Sequence, residues 1–344
     1  MINVNDFFYF LKKNKIEFFS GVPDSILKYT KEIFEKMPKK NHVVAINEGV
    51  ATSICIGNYL ATGSLPCVYM QNSGLGNAIN PLISVAHKKV YSIPLLLLIG
   101  WRGAPGLKDE PQHTEKGKIT KKLLKNLGIK HCELNDMKDF SKLKKLIIYS
   151  KKNKTPIACL IKKNILYKSK KVNKIIKNKG IKRGVFIEKL LKSIDKKTKI
   201  ISSTGYISRE LNQIRKNKKI NLGDDFYMVG GMGHSSSVAL GFSIKKSSNN
   251  VICLDGDGAL LMHLGSLANI GFYGGKNFKH IVLNNNCHES VGGQKTNMEN
   301  VNLEKISLGL GYKNYSFLSS EHKIISMLKS FIKKQGPSLL EVEI

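Results

Sequence analysis

Two polar segments end neighbouring strands of a predicted strand–helix–strand crossover and could together bind a metal ion. Residues 256–259, Gly-Asp-Gly-Ala, directly follow an apolar strand, and residues 284–286, three asparagines, end the next one. Such a crossover returns the second strand beside the first, so Asp257 and Asn285 can face one point in space. A carboxylate, an amide oxygen and a main-chain carbonyl suit Mg²⁺, which keeps its other positions for phosphate oxygens and water.

The glycines of this segment would let backbone N–H groups approach a diphosphate at the start of the helix. By itself, Gly-Asp-Gly is equally consistent with an ordinary turn. The asparagines at the far end of the crossover favour the site that binds metal and diphosphate.

This arrangement resembles the cofactor-binding signature of the thiamine diphosphate-dependent enzymes. Such enzymes pair a diphosphate-binding domain with a second domain of related fold that holds the aminopyrimidine ring. The resemblance implies that Mg²⁺ is bound by Asp257, Asn285 and the main-chain oxygen of Cys287. The cofactor contacts that it implies in this half of the chain are Met232, Gly233, His234, Gly256, Asp257, Gly258, Ala259 and Asn285.

Met232 and Glu48 carry the two other cofactor roles that the resemblance implies. Met232, flanked by glycines, matches the apolar residue that wedges between the cofactor rings, although a methionine filling a core gap is the alternative. Glu48 follows a predicted strand and matches the catalytic glutamate that hydrogen-bonds the pyrimidine ring and sets its imino tautomer. The alternative for Glu48 is a carboxylate that begins a helix, where the helix dipole favours negative charge.

Further segments resemble the phosphonopyruvate decarboxylase family over nearly the whole chain: residues 21–25, 69–77, 100–106, 108–113 and 288–294. The resemblance implies non-oxidative decarboxylation of 3-phosphonopyruvate to phosphonoacetaldehyde and CO₂, in phosphonate biosynthesis of the 2-aminoethylphosphonate type. It also implies at least a homodimer, because related enzymes build each site from two subunits. Sulfopyruvate decarboxylases have similar segments and are the alternative.

A 2-oxo acid that bears a phosphonate has two anionic groups, so its pocket needs cationic and hydrogen-bonding residues. Arg102, in a glycine-rich loop, is a candidate for bidentate phosphonate binding, with a loop-stabilising salt bridge as the alternative. Asp24, Asn72 and Ser73 are the other candidates for substrate binding. Helix capping is the ordinary explanation for Asp24, and loop shaping for the other two.

Three further residues are candidates for catalysis. His113 and His288 lie in loops at predicted strand ends, where they could donate or relay protons, although a lone histidine is more often structural. Ser25 begins a predicted helix and matches a substrate-side position of related decarboxylases, with helix capping as the alternative.

Short apolar runs alternate with amphipathic stretches along the chain, which predicts an α/β fold of two doubly wound, mainly parallel-sheet domains without a middle domain. We expect a pyrimidine-binding domain at residues 1–165, a basic linker at 166–183 and a diphosphate-binding domain at 184–344. Helical patterns cover residues 25–37, 49–61 and 260–272. The predicted strands are residues 17–22, 43–47, 67–71, 93–100, 130–134 and 156–161, and then 199–203, 226–229, 251–255, 280–284, 315–318 and 339–344.

Composition limits the other functions that this chain of 344 residues could have. Its formal net charge of +31 could indicate a nucleic-acid-binding protein, but 52 of the basic residues are lysines, spread along the chain, and only four are arginines. We therefore expect no nucleic-acid partner. No Gly-x-Gly-x-x-Gly motif follows a first strand, which disfavours a nicotinamide-dependent dehydrogenase.

The sequence also bears on location and on its cysteines. The longest apolar run, residues 90–101, is too short to cross a membrane, and the N-terminus lacks a signal-peptide pattern, so we expect a cytoplasmic protein without a membrane partner. The six cysteines are scattered without the close spacing of a zinc or redox pair, which predicts buried free thiols.

Overall fold

Helices and short apolar strands alternate throughout the computed structural model, which describes residues 1–168, 180–218, 220 and 225–344. The chain divides into two units, Met1–Lys174 and Ile175–Ile344. Most of the predicted linker, residues 169–179, lies outside the described residues. Among the helices that the structure describes, none has both the length and the apolar character needed to cross a bilayer.

The first unit contains a six-stranded parallel sheet in the order β3-β2-β4-β5-β7-β6, and the terminal strands β1 and β8 pair separately. Its strands are β1 Ile2–Asn3, β2 Phe19–Gly21, β3 His42–Val44, β4 Cys67–Gln71, β5 Leu96–Gly100, β6 Lys130–Leu134, β7 Ile157–Ile161 and β8 Leu166–Tyr167. Its helices are α1 Val4–Lys13, α2 Lys31–Lys36, α3 Glu48–Thr62, α4 Leu75–Pro81, α5 Pro111–Asn126 and α6 Phe140–Asn153.

The second unit contains a parallel sheet in the order β10-β9-β11-β12-β16-β15, and β13 and β14 form a small antiparallel hairpin. Its strands are β9 Lys199–Ser202, β10 Phe226–Tyr227, β11 Val251–Gly256, β12 Phe278–Asn284, β13 Cys287–His288, β14 Gln294–Lys295, β15 Asn314–Leu318 and β16 Ser338–Glu343. Its helices are α7 Arg183–Ser193, α8 Tyr206–Lys218, α9 Ser235–Lys245, α10 Asp257–Met262, α11 Ser266–Tyr273, α12 Leu303–Gly309 and α13 Ile324–Lys333.

The two main sheets have one topology, which confirms the predicted pair of doubly wound domains. When the six strands of each sheet are numbered along the chain, both orders read 2-1-3-4-6-5. The connection changes direction between the first and third strands, and ligands of such sheets bind at the carboxyl ends of the strands beside this point. In the second unit these are β9 and β11, and in the first unit they are β2 and β4.

In the first unit, the central strands β5 and β7 are apolar throughout because helices cover both faces of the sheet. In β5, Leu96 and Leu98 pack into one core, while Leu97 and Ile99 pack into the core on the opposite face. All of β5 and β7 is buried. Continuous apolar runs of this kind explain why β5 and β7 were predictable, whereas the two-residue strands β1, β8, β13 and β14 were not predicted.

Two predicted helices differ from the structure. Residues 25–37 form a short 3₁₀ turn, Lys28–Thr30, followed by α2, because the Asp24 carboxylate accepts hydrogen bonds from the N–H groups of residues 26 and 27 and holds that stretch in a turn. Residues 260–272 are divided between α10 and α11, since His263 leaves the helical conformation at φ −134° and ψ 48°.

Candidate active site

Asp257 lies at the first position of α10, directly after β11, and its side chain is buried. The Thr296 hydroxyl donates to its Oδ2 at 2.5 Å, and the backbone N–H groups of Gly258 and Asn285 also hydrogen-bond the carboxylate. Burial raises the pKa of Asp257 to about 6, against these hydrogen bonds. The structure thus brings Asp257 and Asn285 together, as the crossover predicts.

The side chain of Asn285 is oriented by its neighbours. Its Nδ2 donates to Glu289 Oε2 at 3.2 Å, and its Oδ1 accepts from the Cys287 N–H at 3.1 Å. Arg183 donates to Glu289 at 2.8 Å and to Glu210 at 2.6 Å. A carboxylate can only accept, so Glu289 fixes which end of the amide carries the oxygen.

These residues line one cleft, which is formed within the second unit. Its wall includes Arg183, Met232, Gly256, Asp257, Gly258, Ala259, Asn285, Cys287, His288 and Glu289. Of the residues predicted to contact cofactor in this half, Gly233 and His234 lie outside this lining. Gly233 has φ +88° and packs on His263, whose ring stacks on that of His234 at 4.3 Å between centroids.

His288 packs closely against the start of α10. A Cβ atom on Gly258 would fall 2.8 Å from His288 Cε1, so this position must be glycine for the ring to fit. Burial lowers the pKa of His288 to about 4. The imidazole is therefore neutral at neutral pH and has one N–H to donate.

The residues of this cleft fit a Mg²⁺-bound diphosphate. The buried carboxylate of Asp257 has no cationic partner among its hydrogen bonds, so a bound cation would offset the cost that raises its pKa. Carboxylate, amide and main-chain oxygens are the donor set that Mg²⁺ prefers. The N-terminus of α10 and the adjacent glycines leave room for backbone N–H groups to meet phosphate oxygens.

In the first unit, Glu48 begins α3 and is buried rather than exposed to solvent. Asn77 Nδ2 donates to Glu48 Oε2 at 2.7 Å, and a Cβ atom on Gly74 would lie 2.2 Å from Oε1. Burial raises the pKa of Glu48, although the Asn77 hydrogen bond opposes this. A carboxyl held this way is suited to hydrogen-bond a ligand nitrogen.

Arg102 forms the salt bridge that was the alternative to phosphonate binding. Its Nε donates to Asp109 Oδ2 at 2.8 Å and its Nη2 to Oδ1 at 2.5 Å, while Nη1 lies 3.3 Å from the Ser25 hydroxyl. The hydrogen-bonded Asp109 raises the pKa of Arg102, so the guanidinium stays charged. The substrate role of Arg102 remains a prediction.

The other candidates of the first unit gather at the carboxyl ends of β2, β4 and β5. Asp24 packs against Gly100, and burial raises its pKa to about 6. Asn72 is held by internal hydrogen bonds to the Arg102 backbone and Thr120. Ser73 accepts from the Gln71 amide at 2.7 Å.

His113 lies near the same loop, at the start of α5. Its Nε2 is 3.6 Å from Glu110 Oε2, and its buried Nδ1 has no hydrogen-bond partner. Burial and the nearby Arg102 charge lower the pKa of His113. Like His288, it has a lowered pKa, and it could relay a proton between its two ring nitrogens.

Comparison with known proteins identifies the family. Residues 3–132 match the profile for the N-terminal TPP binding domain of thiamine pyrophosphate enzymes, and residues 203–342 match the profile for the C-terminal TPP binding domain. Phosphonopyruvate decarboxylase of Streptomyces viridochromogenes is 30% identical over 94% of this chain and 84% of that protein. The chain belongs to the thiamine diphosphate-dependent decarboxylases. Thiamine pyrophosphate is the same compound as thiamine diphosphate.

Two further relatives come from the same decarboxylase family. Phosphonopyruvate decarboxylase of Streptomyces hygroscopicus is 29% identical over 88% of this chain and 78% of its own. Sulfopyruvate decarboxylase of Methanosarcina acetivorans is 26% identical over 96% of this chain and 88% of its own. Enzymes for both substrates therefore resemble this decarboxylase along most of its length.

Several residues that support the site in this decarboxylase were not singled out from sequence. Thr296 and Asn77 hold Asp257 and Glu48, and Arg183 and Glu289 orient Asn285. A single polar residue carries no periodic signal, whether it lies in a loop, as Thr296 does, or in a helix, as Asn77 and Arg183 do. Asp109 is different, because an acidic residue seven positions after a candidate arginine was a visible partner for it.

Proposed function

We propose that this decarboxylase is a Mg²⁺-dependent enzyme that converts 3-phosphonopyruvate to phosphonoacetaldehyde and CO₂. The observation that supports the substrate is the 30% identity with phosphonopyruvate decarboxylase over 94% of the chain. The cofactor would be thiamine diphosphate, as the two matched domains imply.

In this proposal Asp257, Asn285 and the main-chain oxygen of Cys287 hold Mg²⁺, which neutralises the diphosphate. Thr296 keeps the Asp257 carboxylate in one orientation, and Glu289 does the same for the Asn285 amide. Thiamine diphosphate, when bound, supplies an electron sink for the electron pair that CO₂ leaves behind.

Glu48 would hydrogen-bond the pyrimidine ring of the cofactor. Asn77 holds one of its carboxylate oxygens, so the other is directed past Gly74, which has no side chain to obstruct it. Burial raises the pKa of Glu48, which favours a carboxyl that can share a proton with a ring nitrogen.

The substrate carries a carboxylate and a phosphonate, which require cationic and hydrogen-bonding groups. Arg102 and Ser25 lie together at the strand ends of the first unit and would bind the phosphonate. His113 and His288 would relay the proton that takes the place of CO₂, each taking up a proton at one ring nitrogen and releasing one from the other. We place Asp24, Asn72 and Ser73 around the same substrate.

Sulfopyruvate is the second candidate substrate, and the similarity to the Methanosarcina acetivorans enzyme favours it specifically. Sulfonate and phosphonate are both tetrahedral anions that a guanidinium can bind in a bidentate manner. The two candidates share every proposed step, so only relative rates separate them.

The deciding experiment measures CO₂ release from phosphonopyruvate, sulfopyruvate and pyruvate with thiamine diphosphate and Mg²⁺. We expect the highest kcat/KM for phosphonopyruvate and a loss of about 100-fold or more in kcat for Glu48→Gln, the usual worth of positioned acid–base chemistry. Higher kcat/KM for sulfopyruvate would transfer the assignment to that substrate. Full activity in Glu48→Gln would contradict the catalytic role of Glu48.

A further inference from the structure

Three buried side chains of the second unit converge on one point at a face of its sheet. Cys253 and Asp255 lie on the same face of β11, and His280 pairs with Cys253 in the adjacent strand β12. Each offers one donor atom, and these atoms lie within 4.8 Å of one another. All three residues are fully buried, and none of them lines the cleft that contains Asp257.

The polar atoms of this cluster are incompletely satisfied. Asp255 Oδ1 accepts from the Gly256 N–H at 2.9 Å, whereas Oδ2 is buried without a hydrogen-bond partner. His280 Nε2 is also buried without one and lies 3.6 Å from Asp255 Oδ2. Leaving a carboxylate oxygen and a ring nitrogen unpaired in a protein interior is costly. We therefore expect a bound group between these two atoms.

The other nitrogen of His280 has a buried hydrogen-bond partner. His280 Nδ1 lies 3.0 Å from the hydroxyl of Tyr312, which is itself buried. In the tautomer whose Nδ1–H donates to Tyr312, the lone pair of Nε2 is directed at the cluster. Histidines that bind metals are commonly held by such a partner on the second ring nitrogen.

We propose that Cys253, Asp255 and His280 bind a structural Zn²⁺ ion. Thiolate, imidazole and carboxylate are the three ligand types that proteins use for zinc. Two ligand atoms at zinc distance in a tetrahedral site lie about 3.3 Å apart, near the observed 3.6 Å between Asp255 and His280. Binding displaces the thiol proton of Cys253 to solvent, and a water molecule would take the fourth position, near the Ser235 hydroxyl that lies beside this thiol.

The ion would join β11 to β12 just before the strand ends that carry Asp257 and Asn285. It differs from the proposed Mg²⁺ in its ligands and in its position away from the cleft. The site therefore does not depend on the proposed function.

Metal analysis of the purified full-length protein tests the site. The protein is produced with Zn²⁺ in the medium, washed with a mild chelator and analysed by mass spectrometry for zinc per chain. We expect about one Zn²⁺ per chain in the wild type and at least a tenfold loss in Cys253→Ser. Cys159→Ser, which alters an equally buried strand cysteine of the first unit, is the matched control and should keep its zinc.

A wild type without zinc, or Cys253→Ser with wild-type zinc content, would overturn the proposal. If the variant does not fold, the wild type produced with Co²⁺ in place of Zn²⁺ decides. Thiolate-to-cobalt charge-transfer absorption supports the site, and a spectrum without that absorption overturns it.

Discussion

At the scale of single residues, the two units share one feature: buried carboxyl groups at strand ends. Asp24, Glu48 and Asp257 are each buried, and burial raises the pKa of each. Burying a carboxyl costs stability unless a ligand or cation compensates, so groups of this kind accumulate where ligands bind. The structure thus holds unfavourable carboxyls at the positions that the sequence assigned to chemistry.

Asp24 allows a direct test of this cost. Its pKa is about 6 in the folded chain against an ordinary value of 3.8, so the folded state keeps its proton longer than the unfolded state. Its contribution to stability is therefore largest below about pH 4 and falls as the pH rises through about 6. As the pH rises from about 4 to about 6, the free energy of unfolding of Asp24→Asn should increase by on the order of 3 kcal/mol relative to that of the wild type.

The measurement is thermal unfolding of wild type and Asp24→Asn across this pH range. Asp139→Asn is the contrasting control, because a hydrogen bond from Lys142 lowers the pKa of Asp139 to about 2. That variant should lose stability at neutral pH, and its deficit should shrink as the pH falls. If the difference in stability between the wild type and Asp24→Asn does not change with pH, the argument that the buried charge is costly is refuted.

At the scale of elements, the strands were predictable and the loop contacts were not. The runs that became β5 and β7 are apolar over their full length, so their identity did not depend on distant residues. The crossover length alone placed Asp257 near Asn285. Thr296 reaches Asp257 only because the β13–β14 hairpin folds over α10, and no local pattern in the sequence encodes that contact.

The fit between α10 and this hairpin can be tested at Gly258. A Cβ atom there would lie 2.8 Å from His288 Cε1 and 3.2 Å from Thr296 Cγ2, so Gly258→Ala must displace the hairpin. We expect the Kd for Mg²⁺–thiamine diphosphate to rise about tenfold or more, a cost of about 1.4 kcal/mol, by titration calorimetry. Gly57→Ala is the control, since an added Cβ in α3 meets no atom within 4 Å. Gly57→Ala should bind the cofactor with the wild-type Kd. If Gly258→Ala binds equally well, the hairpin can move away from the added methyl group without cost, which contradicts the prediction.

At the scale of the whole molecule, the two units repeat one topology but carry different polar groups at their strand ends. Both sheets have the order 2-1-3-4-6-5, and each presents its polar residues at the same edge. The first unit offers a buried glutamate, and the second offers oxygen ligands and a helix N-terminus. Among the residues that the structure describes, the buried glutamate and these oxygen ligands therefore lie in different units.

Mixing two inactive variants tests whether subunits share their sites, as the family resemblance implies. With the proposed roles, Glu48→Gln removes the pyrimidine contact and Asp257→Asn removes a metal ligand, so we expect each homodimer to be inactive. In a mixed dimer that builds each site from two subunits, one site receives both wild-type residues and the other receives neither. Random reassembly at equal amounts makes half of the dimers mixed, so about a quarter of wild-type activity should return. Sites built within single chains would give no recovery, because every chain carries one defect. Activity measured before and after dissociation and reassembly of the mixture separates these cases.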